Sequence, residues 1–340
     1  MQQTFKFKEL LDRYDVKGFI SKHTILFILL LLIVFVGVIK PNFLRLNNLT
    51  SILIISSVRI VIALGAGGIL ITRGVDLSAG RVVGLTACIA ASLIQRPDYA
   101  NRMYENLPYF PILIPILAAM TVGVLIGLFN GMVIAFLSVP PFIATLGSMV
   151  AVYGLSSIYI DRPPLGAQPI GGLRSDFTQL SFVGPVLPWL VIIAIITALL
   201  YWLMLNKTVF GKNLYAIGGN PDTATVAGVN VGSNLIMVYT VAGLLYGLAG
   251  AMLAARTGSA TNNTGSGYEL DAIAACVIGG VSTYGGVGTI AGIVTGVMIF
   301  EVLNNGLVVL GVSTYWQQII KGAIIIAAVA VDIRKYVAKK

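Results

Sequence analysis

The chain has 340 residues, 57% of them hydrophobic and only 10% charged, with a mean hydropathy of +0.92. Soluble domains carry about 25% charged residues, so this balance excludes an ordinary soluble enzyme and points to a bilayer. The net charge of +9 does not argue for a nucleic-acid partner, because Lys and Arg gather at the two ends and in short loops, as the positive-inside rule distributes them.

The residue inventory narrows the chemistry further. His23 is the single histidine, which removes most His-based metal and triad chemistry. Cys88 and Cys276 both sit in apolar runs and read as small packing residues, not as a disulfide or metal pair. No catalytic residue, no metal site and no cofactor bound by this chain are expected.

Residues 1–23 form a basic segment with Lys6, Lys8, Arg13, Lys17 and Lys22. The apolar run Ile25 to Ile39 follows, and Lys40-Pro41-Asn42-Phe43 offers no small-residue cleavage site. The run therefore reads as a first membrane helix, not a signal peptide. A hydrocarbon core of about 30 Å needs roughly 20 apolar residues per helix. Candidate spans are 24–39, 52–71, 77–94, 112–137, 142–160, 186–205, 235–255, 272–284, 289–312 and 317–332. The expected fold is an all-α polytopic membrane protein of about ten transmembrane helices. The eighth span is short or broken near 272–289, where residues 279–289 hold five glycines. Two readings of that stretch stand: a turn between helices, or irregular backbone lining a cavity.

The basic N-terminal segment and the tail Arg334, Lys335, Lys339 and Lys340 place both ends in the cytoplasm. That requires an even number of spans, and ten satisfies it. The chain then divides into segment 1–23, one membrane domain over 24–333 and the tail 334–340. The loop 206–234 after the sixth span falls on the cytoplasmic side, in agreement with Lys207 and Lys212.

The halves look distantly alike. Gly67-Gly-Ile-Leu-Ile-Thr-Arg73 resembles Gly250-Ala-Met-Leu-Ala-Ala-Arg256. Gly123-x-x-x-Gly127 followed by Asn130-Gly131 resembles Gly292-x-x-x-Gly296 followed by Asn305-Gly306. Units offset by five spans are inverted in the membrane, so two inverted five-helix halves are expected.

The loop from Phe210 to Asn230 is a polar insert in a greasy chain. Asn220 suits an N-cap, Pro221 the first helical position, and Asp222 the positive end of the helix dipole. Gly228 is a stop signal. A helix over 221–227 would present Ala224, Val226 and Ala227 as a small apolar surface. So short a helix must pack on something, either its own membrane domain or a second protein docked beside Gly219.

No G-x-x-x-x-G-K-[ST] motif occurs, so the chain does not cradle nucleotide phosphates itself. Asp76, Glu269 and Asp271 fall at span edges, whereas Glu301 sits mid-span. An embedded acid fits either an ion-coupled carrier or a helix–helix contact. Arg59, Arg81 and Lys321 are the embedded cations, and Lys321 lies where it can snorkel outwards. Asn130, Asn262, Asn263, Tyr268, Glu269, Asp271, Asn304 and Asn305 are the candidates for a translocation path. Amides exchange hydrogen bonds with hydroxyls and rings cover an apolar sugar face, so the set suits an uncharged polyol. Singly, each serves equally as glue between helices.

Several motifs together resemble the monosaccharide permeases of ATP-binding-cassette importers. They are Gly74-Val-Asp-Leu-Ser-Ala-Gly80, Val139-Pro-Pro-Phe-Ile-Ala-Thr-Leu-Gly147, Phe210-Gly with Ala216-Ile-Gly-Gly-Asn220, and Gly267-Tyr-Glu-Leu-Asp-Ala-Ile-Ala-Ala275. Gly279-Gly280, Asn304-Asn-Gly306 and Tyr315-Trp-Gln-Gln-Ile-Ile-Lys-Gly322 complete the set, in family order across residues 45 to 335. Asp76-Leu-Ser-Ala-Gly-Arg81 and Ser259-Ala-Thr-Asn-Asn263 are most similar to the galactose/methyl-galactoside branch, with the ribose branch next. The resemblance implies a separate two-cassette ATPase that binds ATP and Mg, docked on Phe210 to Asn230. It also implies an extracytoplasmic sugar-binding protein and a second copy of the chain. Glu301 departs from the family pattern. An ion-coupled carrier using Glu301 is the competing expectation.

Overall fold

The computed structural model describes residues 24–162, 166–182 and 187–337. The basic segment 1–23 and the end of the tail, 338–340, lie outside the described residues. The described chain is almost wholly helical, in keeping with its apolar runs. Its helices are α1 (Thr24–Ile39), α2 (Leu46–Ile71), α3 (Ala79–Leu93), α4 (Leu113–Phe136), α5 (Pro141–Ile160), α6 (Ser175–Thr178) and α7 (Trp189–Lys207). Then come α8 (Val209–Gly219), α9 (Pro221–Val226), α10 (Val231–Thr257), α11 (Tyr268–Ile278), α12 (Ile290–Val309) and α13 (Thr314–Val337). A two-residue hairpin, β1 (Asp161–Arg162) with β2 (Gly166–Ala167), follows α5.

Each of the ten apolar runs falls on a helix. Among the described residues six helices, α2, α4, α5, α7, α10 and α12, are long and apolar enough to cross a membrane. At 1.5 Å per residue, the 26 residues of α2 reach about 39 Å. The 11 residues of α11 reach only about 16 Å and cannot cross unaided. The short helix and the break expected near 272–289 are both seen, and the glycines form the turn between α11 and α12.

Two helices make the centre. In α2, 78% of the apolar window is buried, and in α10, 61%, against 28% in each of α4, α5 and α7. The outer helices leave their leucines and isoleucines to lipid, as a hydrocarbon solvent allows. The packing pairs the halves: α2 lies against α11 and α12, while α10 lies against α3 and α4. Likewise α3 packs on α4 and α5, and α11 on α12 and α13. The equivalence covers four helices per half; α1 and α7 attach differently, α1 to α12 and α7 to α2.

Glycine lets the α4–α10 pair close up. A Cβ on Gly243 would sit 2.1 Å from the Gly123 carbonyl oxygen, so both backbones meet with no side chain between them. The second motif serves a different neighbour. A Cβ on Gly292 would meet the carbonyl oxygen of Gly279, at the end of α11, at 2.2 Å.

The connecting segments sort into two sets, each knitted within itself. In one, Ile170 and Ala260 exchange backbone bonds at 2.8 and 3.0 Å, and Arg96 N–H donates to Gly172 O at 2.8 Å. In the other, Gly286 N–H donates to Ile71 O at 2.8 Å and Tyr215 O–H to Gly288 O at 2.9 Å. The first set joins the segments after α3, α5 and α10; the second joins those after α2, α7 and α11. This alternation is what successive crossings require.

Candidate functional site

The loop after α7 folds as two short helices. Thr208 caps α8, accepting from Gly211 N–H at 3.2 Å. Asn220 caps α9, its Oδ1 accepting from the N–H groups of Asp222 and Thr223 at 2.9 and 3.0 Å. Pro221 stands at the first helical position and Asp222 in the first turn, near the positive end of the dipole. Gly228 ends the element at φ 86. The local signals were thus read correctly, but the surface was not. Ala224 is buried against its own protein, whereas Val226 is 90% exposed. Asp222, Thr223, Thr225, Val226 and Ala227 face outwards, and Ala227 is the C-cap, one residue past the helix. A lone valine on a platform of small and polar groups is suited to a protein contact, and too little apolar to anchor in lipid.

Behind this platform the ends of other helices converge. Arg73 adopts φ 63 just past α2, and its Nε–H donates to Gly218 O at 2.7 Å. A terminal guanidinium nitrogen donates to Gly219 O. Those carbonyls close α8 and lack helical partners, so a cation there satisfies both hydrogen bonding and dipole. Asp332 of α13 accepts from Thr283 N–H and Thr283 Oγ–H, both at 2.9 Å. Neither Arg73 nor Asp332 was singled out in the sequence as a site residue. The available signals were a charge ending the Gly67–Arg73 repeat and one acid near the end of an apolar helix.

Asp76, at a span edge, is buried in the protein. It is 4% exposed and accepts from Ser78 N–H at 2.8 Å and Ser78 Oγ–H at 2.6 Å. Asn130 Nδ2 donates to Ser78 Oγ at 3.1 Å, and Ser148 Oγ–H donates to Asn130 Oδ1. This buried network joins the start of α3 to α4 and α5. Asn130 is therefore a cross-link.

Glu301 is explained by its neighbours. Arg59 lies 2.9 Å from it and 3.3 Å from Asp271, and Lys321 lies 3.6 Å from Asp271. Two cations and two carboxylates from α2, α11, α12 and α13 form a neutral quartet, with the Tyr268 ring 5.3 Å from the Arg59 guanidinium. The pairing with Arg59 gives Glu301 a helix–helix contact, one of the two readings open to an embedded acid.

The remaining path candidates do not meet in one place. Asn262 and Asn263 accept from Arg81 Nη1, each at 3.3 Å, and Asn262 Nδ2 donates to Ser157 Oγ at 3.1 Å. Arg81 also lies over the Tyr153 ring at 4.5 Å. Asn305 Oδ1 accepts from Asn48 Nδ2 at 3.0 Å. Asn304 and the Glu269 Oε2 atom are buried without a hydrogen-bond partner among the described residues. Tyr315 and Trp316 are 83% and 62% exposed, facing away from the chain's own core.

Comparison with known proteins matches residues 48–329 to the family described as branched-chain amino acid transport system / permease component. The chain is 52% identical to the galactose/methyl galactoside import permease protein of Haemophilus influenzae, over 94% of this chain and 96% of that one. The Escherichia coli K12 protein of the same name is also 52% identical, over 94% and 95%. The E. coli K12 ribose import permease protein is 37% identical, over 95% and 97%. No solved structure matches. The all-helical fold, the near-complete coverage and the family match agree: this chain belongs to the family of transport-system permease components, beside its sugar import permeases.

Proposed function

We propose that the chain is the membrane-spanning subunit of an ATP-binding-cassette importer that carries galactose or a methyl galactoside into the cytoplasm. The observation that carries this reading is the 52% identity to galactose/methyl galactoside import permeases over nearly the whole of both chains. A two-cassette ATPase holding ATP and Mg docks on α8 and α9, so the segments after α2, α7 and α11 lie in the cytoplasm. The sugar-binding protein meets the opposite set, 94–112, 166–182 and 258–267. A second copy of the chain completes the membrane unit, and ATP and ligand drive it between two states that they bind differently. The ribose branch, at 37% identity, is the next candidate for substrate.

The test is uptake into proteoliposomes holding the permease and a two-cassette ATPase, with a binding protein added outside. Labelled galactose should accumulate only with ATP, with an uncoupler present, and excess ribose should not compete. Uptake driven by a pH gradient without the ATPase overturns the reading; competition by ribose alone reassigns the sugar.

A further inference from the structure

We propose that Arg73 and Asp332 are positioning residues that carry movement of the α8–α9 segment to α13. The proposal rests on the reading that this segment docks an ATPase, and names the route by which its motion leaves the loop.

The route begins at a joint with no slack. Only Asn220 separates α8 from α9, so the two move together. A Cβ on Gly218 would lie 1.8 Å from Ile71 O and 2.4 Å from Gly286 N. Three backbone segments therefore touch directly: the end of α8, the end of α2 and the turn between α11 and α12. Arg73 clamps the joint by taking the carbonyls of Gly218 and Gly219. Tyr215 adds a second link from α8 to the same turn, through Gly288 O.

The turn is itself closed by Ser282 N–H to Val287 O at 3.0 Å and Gly285 N–H to Ser282 O at 3.1 Å. Its far edge is gripped by one oxygen, Asp332 Oδ2, which accepts from Thr283 N–H, Thr283 Oγ–H and, at 3.4 Å, Ser282 Oγ–H. Asp332 belongs to α13, where none of the residues whose exposure is described is buried. In contrast α2 is locked in the core. A displacement reaching the turn is resisted by α2 and followed by α13, which holds elsewhere through Lys321 and Asp271. Coupling, as distinct from adjacency, shows itself where transport is lost and hydrolysis is kept.

The experiment uses permease variants with the two-cassette ATPase and binding protein in proteoliposomes, reading ATPase co-purification, ATP hydrolysis and sugar taken up per ATP. Asp332→Ala should keep co-purification and hydrolysis while uptake per ATP falls about tenfold, a loss within the usual range of coupling energies. Asp332→Asn should restore it, because a single acceptor oxygen makes the grip. Arg73→Ala should give the same uncoupling, with partial rescue by Arg73→Lys. Unchanged uptake per ATP in both alanine variants overturns the proposal, as does equal loss in Asp332→Ala and Asp332→Asn. Should Asp332→Ala not accumulate, Thr283→Cys with Asp332→Cys replaces the grip by a disulfide. Transport should then survive oxidation and fall on reduction; equal transport in both states overturns the proposal. Failure of the ATPase to co-purify with the unsubstituted chain refutes the docking reading instead.

Discussion

Arg59 on α2 meets two carboxylates through one nitrogen: its Nη1 lies 2.9 Å from Glu301 on α12 and 3.3 Å from Asp271 on α11. Removing one partner of a buried pair leaves the other charge uncompensated, at a cost of about 3–5 kcal/mol, whereas apolar replacement of both is often neutral. Asp271 remains beside Arg59 when Glu301 is lost, so Glu301→Ala should cost about 3 kcal/mol, at the low end of that range. Arg59→Met with Glu301→Leu should recover most of the loss. Thermal unfolding of the purified protein in detergent reads both, and a double variant no more stable than the single one sinks the account. Glu301→Gln should leave uptake intact, since a packing role needs no titrating proton.

The α4–α10 contact sets a sharper limit. At Gly243 the obstacle is the backbone oxygen of Gly123, 2.1 Å from the would-be Cβ, and backbone cannot rotate aside. Gly243→Leu should therefore exceed the about 1–3 kcal/mol typical of overpacking and abolish a monodisperse species in size-exclusion chromatography. Gly147 offers the control: it is exposed and a Cβ there meets nothing within 4 Å. Gly147→Ala should be neutral or stabilise by up to about 1 kcal/mol, because alanine is the better helix former. Similar behaviour of the two variants contradicts the close-approach argument.

Local signals were legible in the chain and distant partnerships were not. The ten apolar runs marked the helices because lipid demands a continuous apolar stretch of fixed length. Asn220, Pro221 and Gly228 marked α9 because caps act on backbone within a few residues. The inward turn of Ala224 escaped because a two-turn helix has no apolar stripe to orient it. The network around Asp76 was hidden because Ser78, its neighbour in sequence, is in turn bonded to Asn130, and Asn130 to Ser148, on other helices. Arg73 and Gly218 lie 145 positions apart, and nothing in either neighbourhood names the other. Glu301 read as an ion-coupling hint for the same reason: Arg59 is 242 positions away in sequence, yet 2.9 Å away in space.

Capping of α9 can be separated from contact by α9. Replacing an Asn N-cap by Ala typically costs about 1 kcal/mol, and Asp caps as well as Asn. A six-residue helix has little reserve, so Asn220→Ala should fray it and lower ATPase co-purification severalfold while membrane insertion is unchanged. Asn220→Asp should retain it. Equal loss in both variants means that the amide itself touches the partner.

On the opposite face the Arg174–Asp176 pair provides a pH test. Arg174 Nε–H donates to Asp176 Oδ1 at 3.1 Å, and Arg174 also ties the 94–112 segment through Phe110 O at 2.6 Å. Hydrogen bonding from Arg174 holds the Asp176 carboxyl below its ordinary value, helped by the guanidinium charge, Phe177 N–H and Tyr109, and against the effect of burial. A carboxylate with a lowered folded pKa contributes stability that is fully present above its unfolded value of about 3.9 and is lost as pH falls through the folded value. Intrinsic-rate-corrected hydrogen-exchange protection of 94–112 should thus be the same at about pH 7 and pH 5, and should decline only below about pH 4. In Asp176→Asn the decline should be absent, because no proton can be taken up at that position. A decline that begins near neutrality, or one that persists in the Asn variant, assigns the pH response to another group.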